Sequence, residues 1–186
     1  MELDQYKDFM RKSIKKGVEI VAVETNYGVK FVYGVKDEVE FRLRDFYSGP
    51  DTVVIEHFHT HIPPPDITML DEEDTELVCI AVKYPSPADY LTYANIYVFF
   101  SETFKTASLA SWCPTTNKMT LIKIKPENVA DHFTDFVSAQ ADIQEALNEY
   151  LAGTRVRTEY LSTVAFVVQN LAEKVKAEEF VYDLNA

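Results

Sequence analysis

The chain has 186 residues, 47% of them hydrophobic, and carries a formal net charge of -12. That is apolar material enough for one core of ordinary size, so a disordered chain is excluded, and the excess of acid excludes a nucleic-acid backbone or an anionic membrane surface as partner, since affinity for either rests on Lys and Arg. No apolar run reaches the ~18 residues that a membrane-spanning helix needs, the charged stretch Met1 to Lys16 does not read as a secretory leader, and the two cysteines, Cys79 and Cys113, read as reduced thiols rather than a disulfide framework, so a cytoplasmic location is expected.

In chain order, Tyr6, Phe9, Met10 and Ile14 lie near helical spacing and predict a first helix from Asp4, a candidate cap, to Lys16, with Gly17 as its stop. Val18 to Thr25 is rich in β-branched residues, Asn26-Tyr-Gly28 supplies turn chemistry and Val29 to Val35 reads as the returning strand. A further strand is expected over Val39 to Leu43, and Ser48-Gly-Pro50 punctuates the chain before the apolar run Thr52 to His59. Asp71 to Lys83 reads as a helix with its acidic residues in the first turn, where the helix dipole favours them. Pro85-Ser-Pro87 closes that helix, Tyr93 to Phe100, Thr106 to Trp112 and Met119 to Ile124 read as strands, and Glu127 to Leu151 and Thr158 to about Phe180 form a helical hairpin around Gly153. The fold class is therefore α/β, a helix-flanked mixed β-sheet with a C-terminal helical hairpin. Residues 1–125 form a metal-binding domain and 126–186 the hairpin extension, packed on the sheet domain or across a two-fold homodimer through the C-terminal helices.

Three of the four histidines stand two apart at the end of the run that ends in His57-Phe-His-Thr-His61. A period of two puts His57, His59 and His61 on one face of an extended segment. Imidazoles joined by a carboxylate suit zinc or a similar divalent ion, and a catalytic zinc takes three protein ligands and leaves one position open. The acidic run Asp71-Glu-Glu-Asp74 follows a proline-containing loop and is the nearest cluster of carboxylates. His132, inside the hairpin, reads as a solvated helix residue.

A helix, a Glu-bearing strand, a hairpin return, a strand ending in His-Thr-His, a proline loop and an acidic helix start together resemble the JAMM (MPN+) metalloproteases over roughly Leu3 to Lys125. That family carries Glu, then His-Ser/Thr-His, seven residues, Ser, two residues and Asp. The resemblance implies a three-layer, cytidine-deaminase-like fold, zinc as cofactor, His59 and His61 as ligands and Glu19 as the catalytic glutamate. Counted strictly, the Ser and Asp positions fall on Met69 and Glu72; with a loop two residues longer they fall on Asp71 and Asp74. The longer loop is preferred, because a helix start after a proline-rich loop absorbs an insertion without turning the helix face. Asp74 is then the third ligand, Glu72 the alternative, and Asp71 stands in the oxyanion position in place of the family's serine. His57 belongs to the strand face, from which it can orient a ligand.

The implied activity is hydrolysis of an amide or isopeptide bond in a protein or peptide substrate, including conjugates of ubiquitin-like modifiers. Two other readings stand beside it. One is an MPN-type scaffold whose altered serine position has cost activity. The other is a cupin-like barrel that holds iron through His59, His61 and Asp66, against which the five glycines and the helical C-terminal third already count.

Overall fold

The computed structural model describes residues 1–34 and 42–185. Six strands form one mixed sheet in the order β2-β1-β3-β4-β5-β6: β1 (Ile20–Thr25), β2 (Gly28–Tyr33), β3 (Val54–His61), β4 (Thr106–Cys113), β5 (Lys118–Ile124) and β6 (Glu178–Asp183). β3 and β4 are parallel and every other pairing is antiparallel. Five α-helices flank the sheet: α1 (Leu3–Lys16), α2 (Glu72–Lys83), α3 (Pro87–Phe100), α4 (Phe133–Leu151) and α5 (Arg157–Lys174). The parallel pair requires a crossover, and α2 and α3 supply it.

Strand alternation sorts the core into two layers. Ile20, Ala22 and Phe58 pack against Tyr6, Phe9 and Met10 of α1. Val21, Val23, Leu109 and Ile122 face the other way, onto Tyr90, Tyr93 and Ile96 of α3 and Phe136, Val168 and Leu171 of the C-terminal helices. The chain is thus α/β as expected, with α1 on one face of the sheet and α3, α4 and α5 on the other. α1 ends where Gly17 takes the left-handed conformation at φ 67°, which glycine adopts without steric cost. Its start lies two residues earlier than Asp4, at Glu2, whose backbone N–H donates to the Gln5 side chain at 2.9 Å.

Three expectations change. The segment Tyr93 to Phe100 is not a strand but the second half of α3. Its aromatic and β-branched residues favour a sheet locally, yet Ser86 and Asp89 close a reciprocal capping box and Pro87 occupies the first turn, so the helix start prevails. The strand expected over Val39 to Leu43 lies, up to residue 41, outside the described residues, and Leu43–Phe46 form a 3-10 turn. The last helix ends at Lys174, and the chain then returns to the sheet as β6, pairing Phe180 with Leu121.

That return crosses the boundary expected at residue 125. The hairpin of α4 and α5 also packs into the helical layer: Tyr90 of α3 stacks on Phe136 of α4 with ring centroids 4.7 Å apart. The carboxylate of Asp74 on α2 accepts from Arg157 Nε at 2.8 Å and from the Thr158 hydroxyl at 2.7 Å, both at the start of α5. A chain cut after Lys125 loses the cover of α2 and α3 together with an edge strand. It is expected to be insoluble or to melt well below the full chain in thermal unfolding followed by circular dichroism, whereas an unchanged melting temperature would show that residues 126–186 are independent.

Candidate metal centre

His59 and His61 leave the sheet near the C-terminal end of β3, on the face that carries α3. Their Nε2 atoms lie 3.2 Å apart. Asp89, in the first turn of α3, brings Oδ2 to 3.3 Å from each of them. These three residues are the group among the described residues whose ligand atoms lie within 4.8 Å of one another, and they could hold a metal ion.

Each ligand is fixed from behind. His61 Nδ1 lies 3.0 Å from the carbonyl of Val82, one of the last carbonyls of α2, which have no partner within the helix. An imidazole that donates to a carbonyl from Nδ1 turns its Nε2 toward the site. His59 Nδ1 lies 3.3 Å from the hydroxyl of Tyr93, one turn beyond Asp89 on α3. Asp89 is held by the helix start itself: its Oδ2 accepts from the Ser86 backbone N–H at 2.8 Å, and its own N–H donates to the Ser86 hydroxyl oxygen at 3.2 Å. Such outer partners orient metal ligands and raise their basicity.

The electrostatics of the pocket favour a cation. Burial works against charge on Asp89, but the two imidazoles outweigh it and hold the carboxyl well below the usual carboxylate range. Burial likewise opposes charge on His61, and the hydrogen bond and charge of Asp89, with the charge of Glu19 behind them, lift it to about 9. His57 is different. Burial, helped by His59, drives it down to about 3, so it is a neutral ring packed edge-on to Tyr93 at 5.6 Å.

Glu19 comes to the same place through the register of the sheet. Val21 of β1 stands opposite His59, and continuing that antiparallel pairing by one pleat puts Glu19 across from His61, on the same face. Glu19 lines a cleft of about 410 Å³ together with Ile14, Ile62, Pro63, Pro64, Pro65 and Trp112. Thr60, between the two histidines, points to the opposite face and locks this arrangement. The Ile20 N–H donates to its hydroxyl oxygen at 2.8 Å, and Thr60 meets the Ser13 hydroxyl at 2.7 Å. Ser13 donates in turn to the Val18 carbonyl. Helix, strand and loop are thereby tied together on either side of Glu19.

The carboxylates expected at the site lie elsewhere. Asp74 is buried against Arg157 and Thr158, and Asp71 is the N-cap of α2, accepting from the Asp74 N–H at 2.8 Å. Glu72 is exposed in the first turn of the same helix. None of the three belongs to the ligand group with His59 and His61. Asp66 sits exposed in a 3-10 turn, and the open sheet with edges at β2 and β6 is not a barrel. His132, half-buried in the 3-10 turn that precedes α4 rather than solvated within a helix, pairs with Asp135 at 2.9 Å. Sequence reading missed Asp89, Ser86, Tyr93 and the Val82 carbonyl. A signal for two of these was present: Ser86-Pro-Ala-Asp89 reads as a helix start in its own right.

Compared with family models, curated proteins and solved structures, the chain matches none of them.

The geometry separates two carboxylates. Asp89→Asn is expected to cut metal retention to below about a tenth of an equivalent per chain, because an amide is a poor ligand for such ions. Asp74→Asn is expected to keep the metal and to lower the melting temperature by a few degrees through the loosened contact of α2 with α5. Elemental analysis after chelation and reloading, beside thermal unfolding of both variants, checks the pair.

Proposed function

We propose that this protein is a zinc-dependent hydrolase of amide or isopeptide bonds, with His59, His61 and Asp89 as metal ligands, Glu19 as general base and Ser86 beside the reacting carbonyl. The observation that carries the reading is the convergence of two imidazole nitrogens and one carboxylate oxygen at separations of 3.2 and 3.3 Å. Ligands bonded to zinc at about 2.0–2.1 Å in a tetrahedron stand about 3.3–3.4 Å apart, so the three atoms already outline one face of such a site. Three protein ligands leave the fourth position open, the pattern of a catalytic zinc rather than a structural one.

The resemblance to the JAMM family gains support from the same residues. Ser86-Pro-Ala-Asp89 has the family's Ser-x-x-Asp spacing. Its distance from His-Thr-His is longer than the family's seven residues, because residues 62–85 include the whole of α2. With Ser86 in place, the difficulty of a carboxylate at the oxyanion position falls away. The Ser86 oxygen caps the helix while its proton can be donated to a developing negative charge.

Bound zinc would supply Lewis acidity, making water nucleophilic near neutral pH and polarising a carbonyl. Glu19, just ahead of β1 and close enough to His61 to act on it by its charge, takes the proton of the attacking water and returns it to the leaving amine nitrogen. Val82 and Tyr93 keep the two imidazoles in the required orientation. The wall formed by Ile14, Ile62, Trp112 and the three prolines suits the apolar part of an extended peptide, so the substrate is a peptide or a protein tail, including conjugates of ubiquitin-like modifiers as the family resemblance implies. The acidic surface gives no footing to nucleic acid, no helix among the described residues is long and apolar enough to cross a membrane, and cytoplasmic action goes with this reading.

Glu19→Gln keeps the size and hydrogen-bonding capacity of the side chain and removes the base. It is expected to retain zinc at the wild-type level while hydrolysis of a peptide or isopeptide substrate drops about 10²–10⁴-fold. Metal loss together with activity would place Glu19 in the metal shell. A zinc-loaded wild type inert on every peptide and ubiquitin-like conjugate tried would favour the scaffold reading.

A further inference from the structure

Across β4 from the metal centre lies a second cleft, of about 260 Å³, which no step of the proposed hydrolysis uses. Cys79 of α2 and Cys113 at the end of β4 both line it, with Lys83 and Lys118 beside them. The cysteines are far apart in the chain, and both are free and partly exposed. Both side chains border this one cleft, and Cys113 Sγ lies 3.0 Å from the Thr115 hydroxyl.

We propose that Cys79 and Cys113 form a peroxide-sensitive dithiol, with Cys113 as the attacking sulfur and Cys79 as the resolving one, that closes reversibly to a disulfide between α2 and β4. The thiolate is the reactive form of cysteine, and lysines and hydroxyl donors nearby favour it. Burial opposes charge on Cys113, but hydrogen bonds from Cys79, from Thr115 and from the backbone outweigh it and bring the thiol below its usual value. Cys79 is pushed the other way, up to about 12, by burial and then by Cys113 and Glu76. One sulfur is thus prepared to attack while the other keeps its proton.

The chemistry balances with a hydroperoxide as oxidant. The Cys113 thiolate attacks the terminal oxygen; a sulfur–oxygen bond forms as the oxygen–oxygen bond breaks, and the departing alkoxide or hydroxide takes a proton from water. The sulfur is oxidised by two electrons and the peroxide is reduced by two. The Cys79 sulfur then attacks Cys113, its proton leaves with the hydroxyl of the sulfenic acid as water, and the disulfide is complete. Reduction by a small thiol restores both groups. Such transient pairs are the form in which disulfides occur in reducing compartments.

Titration of the full-length protein with hydrogen peroxide, followed by intact-mass measurement and thiol counting, tests the proposal. The expected result is the loss of both thiols and of two hydrogens from the monomer, restored by dithiothreitol, with a higher melting temperature in the oxidised form. In Cys79→Ser the reaction is expected to stop at a Cys113 sulfenic acid that a dimedone probe traps, and Cys113→Ser is expected to react at least about tenfold more slowly than the wild type. Disulfide-linked dimers in place of an internal bridge, equal labelling of the two single variants, or two intact thiols after an excess of peroxide would each overturn it. Circular dichroism of the serine variants, both conservative in size, excludes loss of fold as the cause.

Discussion

The carboxylate of Asp89 answers two demands at once. As the third residue of the turn that opens α3 it accepts from the Ser86 backbone, and as a half-buried anion it draws on the positive character that His59 and His61 can offer. Neither demand alone would fix it. A helix cap on the surface tolerates many residues, and an acid beside two imidazoles on a loose loop would not hold one position. Because the turn is rigid and the helix behind it is buried through Tyr90, Tyr93 and Ile96, the carboxylate meets the strand within hydrogen-bonding range, and the rest of the site is organised around that meeting.

The sheet supplies the other half of the constraint. His59 and His61 share a face through the pleat, Thr60 on the far face bonds to Ile20 and Ser13, and the antiparallel register of β1 with β3 carries Glu19 to the same end of the strand. The helix α2, placed between the histidines and Ser86, lends its exposed C-terminal carbonyl at Val82 to His61. Such a helix would be a source of looseness were it not held from outside. The pair of Asp74 with Arg157 and Thr158 fastens its first turn to α5, while β6 returns the chain beyond α5 to the sheet. The C-terminal segment is therefore support for the site rather than an appendage to it.

Much of this could be read from the residues. The first helix, the β1–β2 hairpin, the placement of three histidines at a strand end, the helix after Asp71 and the strands β4 and β5 all follow from periodicity and turn chemistry. What escaped was decided by competing signals. Tyr-Val-Phe-Phe near residue 100 favours a strand on composition alone, and only the capping box at Ser86, with Pro87 after it, tips the segment to a helix; reading it as a strand hid Asp89 as well. The acidic run at residues 71–74 is dense and near the histidines in sequence, yet density at a helix start is what capping and the helix dipole produce by themselves. β6 follows a long amphipathic helix, and in Glu178–Asp183 three acids dilute the apolar alternation that marks a strand.

If His59, His61 and Asp89 together hold a divalent metal, the coordination shell itself reports it. X-ray absorption at the zinc edge of protein loaded with one equivalent should show only nitrogen and oxygen neighbours, at about 2.0–2.1 Å, with the multiple-scattering pattern of two imidazoles. Sulfur neighbours at about 2.3 Å would rule this site out, because they would place the metal on Cys79 and Cys113 rather than on the histidine strand.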